Sequence, residues 1–244
     1  MELSKRLQAV ADLVTQGSTL ADVGCDHGYI AIYLTERGIC PHVIAMDVNA
    51  GPLERARQHI IEQRKELPIR LILSDGLRAL TPGMVQSVII AGMGGGLVQR
   101  ILSDSPAVVG ELKECILQPQ SELYKVRAFL MQEGFSVIAE DMVLEDGKYY
   151  PMMKVTPPGR MKTKESDWTP CELQYGRRLL KQRHPVLLSY LKKEKAIKEQ
   201  VLLSLEGKMG EHIEKRRSEL EEELLLVEEA FTYYSEKKEE SGCL

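Results

Sequence analysis

The stretch Leu20-Ala21-Asp22-Val23-Gly24-Cys25-Asp26-His27-Gly28 decides how this chain is read. An apolar run enters a turn punctuated by glycine, and an apolar helical pattern leaves it. This is the sequence form of a strand, loop and helix that cradle a nucleotide. Gly24 and Gly28 remove side chains where backbone must approach a ligand. The loop also carries Asp22, Asp26 and His27. Phosphates at a helix N-terminus favour backbone N–H groups without neighbouring carboxylates. An acid-lined loop suits a ligand with a cationic end instead. S-adenosyl-L-methionine, which bears an ammonium and a sulfonium, is such a ligand, and it is the cofactor expected here.

Working outward, strand and helix patterns alternate. Leu3, Leu7, Val10 and Val14 recur at helical spacing behind Ser4, a candidate N-cap. Strands are predicted at about residues 19–23, 43–46, 69–73, 85–91, 115–117, 135–139 and 149–155, with helical patterns between most of them. Such alternation predicts a doubly wound, mostly parallel sheet. The last two strands have no helix between them, which predicts an antiparallel pair at one edge. Thr156-Pro157-Pro158-Gly159 marks a boundary. Beyond it Leu, Glu and Lys dominate and strand patterns vanish. A helix near residues 170–182 is predicted, followed by two long helices around the Gly207 and Gly210 turn, folded back as an antiparallel hairpin. The expected domains are residues 1–157 and 158–244.

Composition bounds the function classes. Of 244 residues, 43% are hydrophobic and 28% charged, as in globular proteins. The five cysteines are scattered without zinc spacing, which argues against a disulfide framework or structural zinc and for a reducing, cytoplasmic setting. No metal is implied. No apolar run is long enough to span a membrane, and the N-terminus lacks a signal-peptide pattern. The net charge of −4 hides a division. Residues 160–198 hold 11 basic and 4 acidic residues, and residues 199–244 hold 6 basic and 13 acidic. Complementary charges along a helical hairpin would explain this. A phosphate-binding surface formed by Arg160, Lys162, Lys164, Arg177, Arg178, Lys181 and Arg183 would explain it too.

Each predicted strand ends in a residue suited to a methyl-donor site. Asp22 and Asp26 supply acceptors for an ammonium. Asp47 stands about 20 residues past the glycine loop, the spacing for ribose hydroxyls. Asp75-Gly76 follows the third strand and is placed for adenine. Ala91-Gly92-Met93 continues the donor wall, and Gly94 and Gly95 open toward the acceptor. Tyr149 is a candidate stacking residue, as is Tyr150. Ordinary roles stand beside each of these: a loop hydrogen bond for Asp22, a strand-end turn for Asp47, a common turn for Asp75-Gly76, and packing for His27 and the tyrosines.

Leu3-Ser4-Lys5-Arg6-Leu7, Ala21-Asp22-Val23-Gly24-Cys25-Asp26-His27-Gly28-Tyr29, Ser74-Asp75-Gly76-Leu77, Ala91-Gly92-Met93-Gly94-Gly95 and Leu117-Gln118-Pro119 together resemble the bacterial tRNA (adenine-N1)-methyltransferases that act at tRNA position 22. The resemblance covers residues 1 to about 155. It implies a class I methyltransferase (Rossmann-like) fold, an α/β seven-stranded sheet with a C-terminal α-helical coiled-coil domain. It also implies transfer of a methyl group from S-adenosyl-L-methionine to adenine N1 in the tRNA D-arm, with tRNA as partner. Asp26 stands where the general pattern has a middle glycine, which leaves it between donor and acceptor contact. Asp26 and His27 are the expected catalytic pair, and both also belong to the donor-binding set.

Enzymes that methylate an exocyclic amine commonly place Asn or Asp with Pro-Pro-aromatic after the fourth strand. Ala91-Gly92-Met93-Gly94 has neither feature, which favours a ring nitrogen. Two other functions stay open at this point: methylation of a different acceptor, or a non-catalytic RNA-binding scaffold on a degenerate domain. A monomer is expected, with a dimer through the apolar stripe from Ile213 to Phe231 as the alternative.

Overall fold

Seven strands form one sheet in the order β3-β2-β1-β4-β5-β7-β6. The computed structural model describes residues 2–63, 66–160 and 167–235. The strands are β1 (Leu20–Val23), β2 (Val43–Asp47), β3 (Ile69–Leu73), β4 (Ser87–Met93), β5 (Glu114–Pro119), β6 (Ser136–Glu145) and β7 (Lys148–Thr156). The first five pair in parallel. β7 runs antiparallel to both β5 and β6. The helix-free connection predicted this edge, and Asp146-Gly147 turns the β6–β7 hairpin at positive φ. This is a class I methyltransferase, Rossmann-like sheet.

β1 is buried along its whole length, between β2 and β4. A strand covered on both faces reads as an unbroken apolar run rather than as alternation. Five helices, α1 (Lys5–Asp12), α2 (Tyr29–Glu36), α3 (Ala50–Glu62), α4 (Gly95–Ser103) and α6 (Leu123–Gln132), cover the sheet, and a short α5 (Pro106–Glu111) lies between α4 and β5. Ser4 caps α1 as expected, accepting from the Leu7 N–H. One part of the core joins Val10 of α1, Ile30 and Leu34 of α2, Leu20 and Ile89 of the sheet, and Ala56 of α3.

The chain divides into two compact units, Met1–Asp167 and Trp168–Leu244. The second is helical throughout its described residues. A single helix was expected near residues 170–182; the structure has two, α7 (Pro170–Tyr175) and α8 (Arg177–Lys181). Gly176, at φ 95°, breaks them apart. A full capping box at Thr169 and Glu172 starts α7. α9 (Pro185–Leu205) and α10 (Glu211–Ser235) pack as an antiparallel hairpin. Lys195 pairs with Glu228, Lys198 with Glu223, and Arg217 with the Leu205 carbonyl, so position rises on one helix as it falls on the other. The opposed charges of the two segments therefore meet across the hairpin.

Candidate methyl-donor and acceptor site

The parallel strands point their C-terminal ends at one rim, where ligands bind in open α/β sheets. There a cavity of about 310 Å³ is lined by Asp22, Gly24, Cys25, Asp26, His27, Tyr29, Arg6, Ala91, Gly92 and Gln120, among others. The first glycine loop and the end of β4 thus meet around one space.

Asp22 ends inside β1 at 4% exposure. Burial, reinforced by the neighbouring Asp47 charge, pushes its carboxyl up to about 7. Among the described residues no cation pairs with it, and a buried ionised acid without a partner is costly. Gly24 then turns at φ 74°, and its N–H donates to the Met46 carbonyl at 2.8 Å. A Cβ at this position would collide with Cε of Met93. Cys25 is buried, and burial raises its thiol further out of the reactive range.

Asp26 takes a left-handed backbone, φ 42°, which turns its side chain to the surface. There Arg55 of α3 donates to it at 2.7 Å, and His27 Nε2 lies 3.5 Å away. His27, Tyr29 and His59 form a set of near-parallel rings with centroids 5.1 to 5.3 Å apart. Arg55 and His59 were not singled out from the sequence, and Tyr29 only as the end of the glycine-loop motif. They sit on amphipathic helices, where a polar or aromatic residue on the outer face gives no local signal.

At the ends of the next strands, Asp47 accepts from the Asn49 N–H at 2.9 Å, an Asx turn that fixes its carboxylate. Asp75 is held on both oxygens, by Arg100 at 3.2 Å and Arg78 at 3.2 Å. Gly76, at φ 61°, lies against Ile101. Gly28 caps α2 and packs on Ala56. Asp47, Asp75, Gly76 and Gly28 belong to the same rim but not to the cavity lining.

β4 carries a bulge. Ala91 pairs with Gln118 and Met93 with Pro119, which leaves Gly92 as the extra residue, at φ 78°. Its N–H donates to the Gln118 side-chain oxygen at 3.2 Å. The bulge re-aims Met93 across Gly24. Gly94 is the N-cap of α4 and stays exposed.

Three expected acceptor residues need correction. Gly95 is buried, not open to a ligand: a Cβ there would come within 2.6 Å of the Ser121 carbonyl and 2.8 Å of Val126. Its glycine serves the close packing of α4 on the turn before α6. Tyr149 is not among the residues that line the cavity. Successive strand residues face opposite sides, and Tyr150 is the one under Arg6, whose guanidinium lies 5.7 Å from the ring. Arg177 is not a surface cation. It is buried, pairs with Glu172 at 2.7 Å and lies over the Trp168 ring. Arg160, for its part, donates to the Gly110 and Glu111 carbonyls. Lys181 is exposed and Arg178 half-buried. Lys162 and Lys164 lie outside the described residues. No group of three or more His, Cys, Asp or Glu side chains among the described residues is placed to hold a metal ion.

A family model for a methyltransferase domain matches residues 3–153. The tRNA (adenine(22)-N(1))-methyltransferase of Bacillus subtilis (strain 168) is 32% identical over 153 residues, which are 63% of this chain and 64% of that relative. The crystal structure of the B. subtilis m1A22 tRNA methyltransferase TrmK superposes with a TM-score of 0.82 at 27% identity, over 94% of this chain and 98% of that one. Streptococcus pneumoniae Sp1610, solved in complex with S-adenosyl-L-methionine, does so with a TM-score of 0.81 at 30% identity, over 94% and 99%. The chain belongs to the TrmK family of tRNA (adenine(22)-N(1))-methyltransferases.

Proposed function

We propose that this protein transfers a methyl group from S-adenosyl-L-methionine to N1 of adenine 22 in the D-arm of tRNA. The observation that carries the reading is the meeting of the buried, acid-lined Gly24 loop with the glycine-rich end of β4 around one cavity. The residues fit the donor. Asp22 answers its cationic amino acid end, Asp47 its ribose, and Asp75-Gly76 its adenine. Gly24, Ala91 and Gly92 form the walls between them, with Gly28 and Met93 behind them. When bound, the donor supplies a methyl group on a sulfonium.

Adenine N1 carries a lone pair at neutral pH, so no protein base must first remove a proton. The protein's task is to align N1 and keep water out. N1 lies on the Watson–Crick edge, so the base must leave its stack to enter. Asp26 and His27, in the cavity lining, orient the base and steady the charge that develops on it. Residues 158–244 serve as the tRNA-gripping domain, with Arg178 and Lys181 as its phosphate contacts. No described helix is long and apolar enough to cross a membrane. We place the protein in the cytoplasm, as a monomer, which sedimentation would test.

The decisive experiment incubates purified protein with labelled donor and unmodified tRNA and maps the modified base. Label at N1 of adenine 22 is expected. Label on another nucleotide, or binding of tRNA without transfer, would overturn the reading.

A further inference from the structure

Two residues one turn apart on α3, Arg55 and His59, reach the same loop. Arg55 donates to the Asp26 carboxylate at 2.7 Å. His59 places Nδ1 at 3.0 Å from the His27 carbonyl oxygen. A carbonyl oxygen only accepts, so Nδ1 of His59 carries the proton and donates it. On the same face Ala56 lies against Gly28, where an added Cβ would meet the Ala56 methyl at 3.0 Å. One face of α3 thus backs three consecutive residues of the glycine loop.

The loop depends on such backing. Asp26 and Gly28 hold positive φ, 42° and 71°, so His27 sits between two left-handed residues. Its ring has little to hold it by hydrogen bonding. Nδ1 is buried with no partner among the described residues, and Nε2 stands 3.5 Å from an Asp26 oxygen. Packing orients the ring instead: Tyr29 and His59 lie nearly parallel to it, at 9° and 19°. His59 therefore grips His27 twice, at the carbonyl and at the ring.

We propose that His59 is a positioning residue, which fixes the backbone of His27 through the hydrogen bond to its carbonyl and so sets where the His27 side chain stands in the cavity. This rests on the methyl-transfer reading above, which gives His27 its contact with the base, and adds the group behind it. His59 is half-buried and is not among the residues that line the cavity, so it reaches the base through His27. A displacement of about 1 Å, caused by a change away from the chemistry, can cost about a hundredfold in rate.

The test compares the full-length chain with its His59→Asn, His59→Phe and His59→Ala variants. Asn keeps an N–H donor close to the position of Nδ1 and loses the ring. Phe keeps a ring and loses the donor, and Ala loses both. For each, kcat and KM are measured with unmodified tRNA, donor affinity by calorimetry, and melting temperature by thermal scan. His59→Phe and His59→Ala should lower kcat by about tenfold to a hundredfold, with KM and donor affinity within about twofold of the parent. His59→Asn should recover most of the rate. A residue that only filled space would give the reverse order, with Phe the better substitute. Parent-level kcat in His59→Phe overturns the proposal, as does a rate for His59→Asn no higher than that for His59→Phe. A loss that appears in donor affinity or KM instead of kcat overturns it too. Should His59→Ala fail to fold, the Asn and Phe variants still decide between the two orders. Failure of the parent chain to methylate tRNA would sink the functional reading and this inference with it, whereas an active parent with unaffected variants would sink this inference alone.

Discussion

The terminal methyl of Met93 lies over Gly24, so that residues 69 positions apart share one small volume. Gly24→Ala should therefore fail twice. A non-glycine residue at φ 74° costs about 1 kcal/mol, and its Cβ displaces the Met93 methyl from the cavity wall at Gly24. Calorimetry should show donor affinity reduced by more than tenfold, roughly 1.4 kcal/mol. Met93→Ala added to Gly24→Ala should restore part of it. Strict additivity of the two substitutions would show that the contact has no part in binding.

Asp22 sets a pH dependence. Its carboxyl, raised to about 7, is largely neutral at pH 6 and ionised at pH 8. The donor's ammonium favours the ionised form, so affinity should rise about tenfold across that interval. Asp22→Asn should flatten the profile and weaken binding. For folding the sign is opposite. The folded state holds this proton more tightly than the unfolded chain, so stability falls as pH rises from about 4 toward 7. Asp22→Asn should raise the melting temperature of the donor-free protein at pH 8, as thermal melts would show.

Asp26 and Arg55 form an exposed pair, with side-chain exposures of 62% and 47%. Exposed pairs contribute about 0.2–1 kcal/mol, so Asp26→Ala should leave melting nearly unchanged. If Asp26 orients the acceptor base, the substitution should lower kcat well beyond any change in donor affinity. Turnover at the parent level would remove Asp26 from the catalytic set.

Gly95→Ala and Gly94→Ala should separate packing from access. The first forces a Cβ against the Ser121 carbonyl and should cost about 1–3 kcal/mol of stability. The second finds 3.4 Å to Ser121 Oγ and a backbone any residue adopts. It should melt like the parent, and a bulkier Gly94→Val should slow transfer while sparing donor affinity.

Arg177→Ala should look like a folding defect rather than an RNA defect. It strands Glu172 in a buried setting, and breaking such a pair costs about 3 kcal/mol. Lys181→Glu, on the exposed side of α8, should melt normally and weaken tRNA binding more at low salt than at high salt.

The parallel half of the sheet was legible because its strands are short apolar runs with turn residues at each end. β3 at residues 69–73 matches its sequence pattern to the residue. β6 runs six residues past its apparent end at Ala139 because Glu140 is buried against Arg127 at 2.9 Å. A charged residue reads as a strand terminus until its partner is seen. The donor wall was visible in the glycine loop. The other wall was not: Arg6 and Gln118 are more than a hundred positions apart, and nothing local to either marks the hydrogen bond. Arg177 misled for the same reason, since composition counts a cation without showing what neutralises it.

The bulge at Gly92 makes length a stricter constraint than composition near the end of β4. One extra residue sets the phase of everything after it. Side chains on β4 can be exchanged for others of similar bulk and leave that phase intact. Removal of Gly92 would close the bulge, straighten the end of β4 and take away the N–H that donates to the Gln118 oxygen. Homologous chains should therefore tolerate spelling changes along this strand far better than a single deletion.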